Sequence, residues 1–333
     1  MYIFRRALVV FLAASLTGWA LAGCGHAHAG SGRPAVAVIP KGTTDEFWKA
    51  IHAGAVKAAR ELGMDVVWQG PIRADDRSAQ IDVVESMIVR GVKGIVLAPN
   101  DDTALRGSVE DAYRSGIPVV VVDSGLNSDK QVSFIATNNY EGGVMAGEEI
   151  ARLLGGKGRV AMLRNIEGNE STEKREAGFL DAIKKYPGIE VVSSNQHGGG
   201  TSEAAYKASE NILAPLKSGD KLALDGIFCS CEYTVFGMLR ALQDGGLAGK
   251  VHFVGFDASK KINEALLHGE IDALVVQNPM KMGYLGVYAV HDFNAGKKPA
   301  KQVDVPATLV TRENYETAPI QELVNPPIKE LLQ

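Results

Sequence analysis

The stretch that decides the fold is IPVVVVDSGLNSDKQVSFIATNN, residues 117–139. It contains four consecutive valines at 119–122, and a short continuous β-branched run is typical of a strand that is buried on both faces of a parallel sheet. The run stops at Asp123, which is followed by the turn residues Ser124 and Gly125. Ligands of open α/β sheets bind outside the carboxyl ends of the strands, so Asp123 lies where a binding group is expected.

A second apolar piece follows this strand at residues 132–136 and ends at Thr137. A helical pattern begins soon afterwards, at Tyr140. We interpret the second piece as the first crossing between two lobes, which places Asp123 at the mouth of the cleft between them.

Strand-like and helix-like stretches alternate along the rest of the chain. The helix predicted at 45–63 carries an apolar stripe at helical spacing, formed by Phe47, Ile51, Ala55, Ala58 and Leu62. Further strands are predicted at 35–39, 66–68, 94–98, 159–163, 190–193, 225–229, 252–256, 272–276 and 303–309. Gly143 and Gly147 are expected to let the helix at 140–154 pack closely on a sheet. This alternation predicts two α/β lobes, each a doubly wound and mostly parallel sheet, with a binding cleft between them.

Composition limits the classes of partner. The chain of 333 residues is long enough for two domains, and its 46% apolar and 22% charged residues are ordinary for a globular protein. Its formal charge of −4 provides no basic surface for nucleic acid, so no nucleic-acid partner is expected.

The N-terminus is typical of an exported protein. Arg5 and Arg6 precede an apolar run at 7–20 that is too short for a comfortable membrane span. Residues 21–24, Leu-Ala-Gly-Cys, resemble the lipobox of bacterial lipoproteins, which implies that Cys24 becomes the lipidated first residue. The alternative is ordinary secretion in which Cys24 is incidental.

The other two cysteines are Cys229 and Cys231. In an extended strand their Cα atoms lie about 6.6 Å apart, at the far edge of the range that a disulfide can bridge. We therefore expect two free thiols, with Cys229 in the core.

No catalytic motif is present: the sequence contains no G-x-S-x-G, no P-loop and no H-E-x-x-H. The glycine run at 198–200 lacks the spacing of a phosphate-binding loop, and the histidines outside the N-terminal tail show no metal-ligand spacing. The sequence therefore predicts neither an enzyme nor a bound metal or cofactor.

Polar and aromatic residues at strand ends are the candidate site. They are Phe47, Trp48, Asp123, Arg175, Cys231, Asp257 and Gln277. Arg175 falls in line with Phe179 and Ile183 at helical spacing, so it should point inward, where an arginine needs a partner. Each residue also has a structural interpretation: for example, Phe47 as core packing, and Asp257 and Gln277 as helix caps or loop residues.

Six ordered segments resemble one family. They are TTDEFWKAIHAGAVKAARELG at 43–63, the strand ending in Asp123-Ser124, KREAGF at 174–179, FGMLRAL at 236–242, VGFDAS at 254–259 and VVQNP at 275–279. Together they are similar to the ribose- and galactose-type periplasmic sugar-binding proteins, which share the fold of LacI-like effector domains. The resemblance extends over residues 35–316.

The resemblance implies two lobes joined by three hinge crossings, near Thr137, Asn278 and Pro306. The expected organisation is a signal peptide at 1–23, a flexible tether at 24–34, an N-terminal lobe from 35–137 and 278–306, a C-terminal lobe from 138–277 and 307–320, and a tail at 321–333.

The family's binding residues can be carried over by position. Phe47 and Trp48 match the aromatic pair that sandwiches the sugar ring, and Asp123 matches the carboxylate that binds hydroxyls. Arg175, Asp257 and Gln277 match the arginine, aspartate and glutamine that contact the ligand from the second lobe and its last crossing.

Four positions depart from the ribose pattern. Asp45 and Cys231 stand where ribose binders have asparagine, and Ser124 stands where they have arginine. Gly200 aligns with a further aromatic residue. The site is therefore expected to include Asp45, Ser124 and Cys231, and not to bind ribose in the ribose manner.

The resemblance implies a monomeric, lipid-anchored solute receptor, periplasmic or on the cell surface, that binds a sugar or polyol and passes it to an ABC permease. Its contact with the membrane would be through the lipid anchor only. A sensory protein that presents a sugar or an autoinducer-like furanose to a transmembrane receptor is the alternative. A LacI-like regulator is disfavoured because the export signal replaces the DNA-binding head.

Overall fold

The computed structural model describes residues 32–218 and 221–333, of which Arg33–Gln333 belong to one compact unit. The expected signal peptide, Cys24 and all but the end of the expected tether lie outside the described residues. None of the described helices is both long enough and apolar enough to cross a membrane.

The first lobe is built on a parallel sheet of six strands. These are β1 (Ala35–Ile39), β2 (Asp65–Trp68), β3 (Ile95–Leu97), β4 (Val119–Val122), β5 (Ser133–Ala136) and β13 (Gln302–Asp304), in the order β13-β5-β4-β3-β1-β2. The valine strand β4 lies between β3 and β5 and is buried on both faces: Val120 and Val122 pack into one hydrophobic cluster, and Val119 and Val121 into another.

The second lobe repeats this plan. Its strands are β6 (Lys157–Arg164), β7 (Gly188–His197), β10 (Gly226–Cys229), β11 (His252–Phe256), β12 (Ala273–Val276) and β14 (Thr308–Thr311), in the order β14-β12-β11-β10-β6-β7. The pairs are parallel except for β12 with β14, which is antiparallel. A short hairpin adds β8 (Lys217–Ser218) and β9 (Lys221–Leu222). The predicted fold class, two parallel-sheet α/β lobes, is confirmed.

Helices connect the strands of both lobes. They are α1 (Glu46–Leu62), α2 (Arg77–Arg90), α3 (Arg106–Arg114), α4 (Asn139–Leu153), α5 (Glu170–Ile183), α6 (Ser202–Leu213), α7 (Glu232–Asp244), α8 (Lys260–His268), α9 (Pro279–Asn294), α10 (Ala318–Val324) and α11 (Ile328–Leu332). Ile320 and Val324 of α10 are buried in the core of the second lobe.

The single strand predicted at 303–309 is wrong. The structure has two strands there, β13 in the first sheet and β14 in the second. Pro306 lies between them, and a proline has no N–H to donate to a ladder, so the chain leaves one sheet and joins the other.

The helix α4 packs more closely on its neighbour α5 than on the sheet. A Cβ atom on Gly143 would overlap the carbonyl oxygen of Arg175, and one on Gly147 would lie 2.6 Å from the Cβ of Ala182. The expectation that these two glycines face the sheet is therefore wrong. The face of α4 that packs on the sheet includes Ala146 and Ile150, which are four residues apart and buried in the core.

We predict that Gly143→Ala lowers the free energy of unfolding by about 2–3 kcal/mol, because the methyl group forces α4 away from α5. Urea unfolding of the variant measures this loss.

The matched control is Gly107→Ala, at a helical position in α3 with open space around it. It should be neutral or stabilising by up to about 1 kcal/mol. Equal stability of the two variants would show that the close α4–α5 contact does not limit the fold.

Candidate functional site

Two aspartates occupy equivalent places in the two lobes. Asp123 follows β4 and Asp257 follows β11, and they are the two described non-glycine residues with positive φ, at 65° and 74°. The backbone N–H of each donates to the adjacent strand, to the carbonyl oxygens of Ile135 (3.0 Å) and Val275 (2.9 Å). Aspartate tolerates the left-handed backbone conformation that a positive φ defines. Each strand therefore ends in a buried aspartate whose carboxylate faces the cleft.

The side chain of Arg175, from α5, lies between these carboxylates. It is 2% exposed, which confirms that it points inward. Its Nε donates to Asn139 Oδ1 (2.8 Å) and its Nη1 to the carbonyl oxygen of Ser230 (3.0 Å). The guanidinium carbon lies 3.9 Å from the ring centroid of Phe256.

Arg175 has donors to spare. Its Nη1 is 3.7 Å from Asp257 Oδ2 and its Nη2 is 4.0 Å from Asp123 Oδ1, distances that fit ion pairs but are too long for hydrogen bonds. A guanidinium has five N–H groups, and the described residues accept from two of them. Three remain for a molecule in the cleft.

Lys41 was missed in the sequence. Its Nζ lies 2.7 Å from Asp123 Oδ2 and donates across the cleft to Asn169 Oδ1 (3.0 Å) and Ser171 Oγ (3.1 Å). Lys41 follows β1 directly after Pro40, so the rule that selected Asp123, a polar residue just beyond a strand, could have found it. Lys41 thus supplies a cation beside Asp123. In ribose binders the next position is an arginine, which this chain replaces with Ser124.

The closed cleft between the lobes holds a small cavity of about 40 Å³. Every predicted site residue except Ser124 lines it: Asp45, Phe47, Trp48, Asp123, Arg175, Cys231, Asp257 and Gln277. The residues that sequence reasoning did not select are Lys41, Ala74, Asn165, Asn169, Ser171, Thr172, Glu232 and Tyr233.

Ser124 lies behind the cavity wall. Its Oγ accepts a hydrogen bond from the backbone N–H of Ser171 (3.0 Å), and the residue is 1% exposed. The structure therefore corrects its predicted position: Ser124 joins the first lobe to the start of α5.

The aromatic pair does not form a sandwich. The rings of Phe47 and Trp48 are in contact, with centroids 4.8 Å apart and planes at 87°. Perpendicular rings cannot both stack on one sugar ring, so that expectation is wrong. Tyr233 adds a third aromatic wall, and its hydroxyl donates to Asn165 Oδ1.

Cys231 and Gln277 line the cavity from the second lobe. The described cysteines are free thiols, as expected, and burial raises the pKa of Cys231 to about 12, so the thiol stays neutral. Gln277 Nε2 donates to Asp257 Oδ1 (2.7 Å), while its Oε1 is buried without a hydrogen-bond partner.

Helix N-termini are capped reciprocally across the cleft. Glu232, at the start of α7, accepts from the backbone N–H groups of Phe47 (3.1 Å) and Glu46 (3.3 Å) at the start of α1. In return Glu46 Oε2 accepts from the N–H of Lys260 (3.0 Å), at the start of α8. Because each acid belongs to the opposite lobe, these contacts exist only when the cleft is closed.

Comparison with known proteins identifies the family. The profile of the periplasmic binding protein domain matches residues 36–298. The chain is 29% identical over 297 residues to the ribose import binding protein RbsB of Haemophilus influenzae, covering 89% of this chain and 98% of that protein.

Solved structures agree with this match. A carbohydrate transporter solute binding protein from Agrobacterium radiobacter, in complex with D-arabinose, has a TM-score of 0.84 at 31% identity, covering 89% of this chain and 100% of that one. An ABC transporter solute binding protein from Agrobacterium vitis with bound D-fucose has a TM-score of 0.83 at 30% identity, covering 87% and 99%.

The chain therefore belongs to the periplasmic binding protein domain family. The family and these relatives are solute-binding proteins, which confirms the prediction that the chain is not an enzyme. Within residues 32–218 and 221–333, no group of three or more histidine, cysteine or acidic side chains could hold a metal ion.

Beside Arg175 lies a buried acid with a displaced pKa. Glu176 Oε1 accepts from the N–H of Asn165 (2.9 Å) and from Ser230 Oγ (3.1 Å), and Arg164 Nη1 is 3.6 Å from Oε2. Burial outweighs these contacts and raises the pKa of Glu176 from 4.5 to about 7. The folded state therefore holds this proton more tightly than the unfolded state between these two values.

We predict that Glu176→Gln changes the pH dependence of stability. A raised pKa in the folded state means that Glu176 costs stability as pH rises from about 4.5 to 7, up to about 3 kcal/mol. The variant should match wild type at about pH 4, below the unfolded pKa, and exceed it in free energy of unfolding at pH 8. Glu141→Gln, an exposed position on α4, should show no such divergence. A constant difference between Glu176→Gln and wild type across this pH range would contradict the assignment.

Proposed function

We propose that this protein is the solute-binding component of an ABC importer, which closes its two lobes on a monosaccharide or similar polyol and delivers it to a membrane permease. The observation that carries the proposal is Arg175, which keeps three N–H groups available between one carboxylate of each lobe.

This arrangement suits the chemistry of a polyol. A hydroxyl group can accept from a guanidinium N–H and donate to a carboxylate oxygen at the same time, so Arg175, Asp123 and Asp257 can hold adjacent hydroxyls. Each hydrogen bond to a charged group contributes about 1.5–3 kcal/mol, so a few of them reach the range of micromolar binding. The apolar C–H face of a sugar can pack on Trp48 or Phe47.

Closure follows from the contacts that cross the cleft. Lys41 bonds to the start of α5, and Glu232 and Glu46 cap helices of the opposite lobes. These bonds form only when the lobes meet, so a ligand that bridges Asp123 and Asp257 favours the closed state. The hinge is the set of crossings near Thr137, Asn278 and Pro306.

The relatives support a sugar and an importer. Their names include a ribose import binding protein, and their structures contain D-arabinose and D-fucose. The predicted export signal and the Leu-Ala-Gly-Cys sequence at 21–24 support a lipoprotein that is exported to the periplasm or cell surface and held to the membrane by its lipid at Cys24. We propose that it acts as a monomer.

The proposal is tested by isothermal titration calorimetry with pentoses, hexoses and polyols, repeated with Arg175→Met. We expect at least one of these compounds to bind wild type with micromolar or tighter affinity. Methionine keeps the packing on Phe256 but removes every donor, and losing a buried charged contact weakens binding by about 30-fold or more.

The matched control is Arg240→Ala, an exposed position on α7 outside the cavity, which should bind as wild type does. Circular dichroism checks that both variants fold. The proposal is overturned if no sugar or polyol binds wild type, or if folded Arg175→Met binds with unchanged affinity.

A further inference from the structure

The charges in the cleft do not balance. Two cations line it, Lys41 and Arg175, against four carboxylates, so a net charge of −2 remains when all are ionised. Lys41 lies 2.7 Å from Asp123, and Arg175 lies 4.0 Å from Asp123 and 3.7 Å from Asp257. The unbalanced charge therefore belongs to the other two acids, Asp45 and Glu232.

Neither Asp45 nor Glu232 forms a salt bridge with a described residue, and Lys49, an exposed residue of α1, only partly offsets the rise in the pKa of Asp45. Burial is the largest cause that raises the pKa of both acids; beyond it, Asp45 raises the pKa of Glu232, and Asp257 raises the pKa of Asp45. Glu232 is partly compensated by the two N–H groups at the start of α1. Asp45 has a weak bond from Thr44 Oγ1 (3.4 Å) and a contact with Trp48.

A second, independent feature of the same cavity calls for a donor. Gln277 is 1% exposed and lines the cleft, and its Oε1 has no partner. Its amide cannot be turned over, because Nε2 donates to Asp257 Oδ1 and a carboxylate only accepts. A buried carbonyl oxygen without a donor costs about 1–3 kcal/mol, which a donating ligand would relieve.

Resting on the proposed function, we propose that the ligand of this cleft is an amino sugar or amino polyol, whose ammonium group binds at Asp45 and Glu232 while its hydroxyls bind at Arg175. An ammonium group donates three hydrogen bonds and carries the charge that this wall lacks. With a neutral sugar of the same shape, closure encloses these two acids without a cation, so they must either hold like charges at low dielectric or take up a proton, and both cost free energy.

The experiment uses pairs of sugars that differ at one group. Calorimetry at about pH 6.5 compares D-glucosamine with D-glucose and D-galactosamine with D-galactose, and each N-acetyl derivative serves as an uncharged amide control. We expect an amino sugar to bind about 10- to 100-fold more tightly than its hydroxyl partner and its N-acetyl derivative, the range of a charged hydrogen bond.

Variants locate the effect. Asp45→Asn should abolish this preference, whereas Asp82→Asn, an exposed position on α2, should keep both the preference and the affinity for the neutral sugar. A preference that survives both Asp45→Asn and Glu232→Gln overturns the assignment of the ammonium to this wall.

The other outcomes separate the two proposals. If the neutral sugars bind as tightly as the amino sugars or more tightly, the amino-sugar inference is wrong and the sugar-binding function stands. If the amino sugars do not bind while other sugars or polyols do, the inference is again wrong. If no sugar of any kind binds, both proposals fail.

Discussion

The structure of the cleft depends on one buried cation, the guanidinium of Arg175. A charge that is 2% exposed cannot stay in a protein unless other groups replace its water, and here they come from several elements. Asn139 and Ser230 accept its hydrogen bonds, Phe256 offers its ring face, and Asp257 provides the nearby charge. Asp123, from the other lobe, completes the set at 4.0 Å. Closing the lobes therefore brings Arg175 beside one carboxylate from each half.

The sequence predicts those site residues whose side-chain direction is determined by their neighbours along the chain. Four valines followed by Asp123, and the apolar strand β11 followed by Asp257, mark strand ends, and the fold brings such ends together at one edge of each sheet. Arg175 was found because its spacing from Phe179 placed it on the inward side of a helix. In each case a few neighbouring residues determine the direction of the side chain.

The remainder depends on contacts between distant parts of the chain. The hydrogen bond from Lys41 to Asn169 joins residues that are 128 positions apart in the sequence, and the bond from Phe47 N–H to Glu232, which caps α1, joins residues that are 185 apart. No local sequence pattern predicts either contact. The perpendicular rings of Phe47 and Trp48, and the place of Ser124 behind the wall, follow from tertiary packing. The packing of Gly143 on α5 instead of the sheet depends on a rotation of α4 by one position, which apolar periodicity does not resolve.

A crystal structure of the protein with a sugar bound tests the central claim most directly. The account predicts that ring hydroxyls lie about 3 Å from the free Arg175 nitrogens and from both Asp123 and Asp257, with the lobes closed as described here. A sugar bound elsewhere on the molecule, or one in the cleft that leaves Arg175 without a ligand contact, would contradict it.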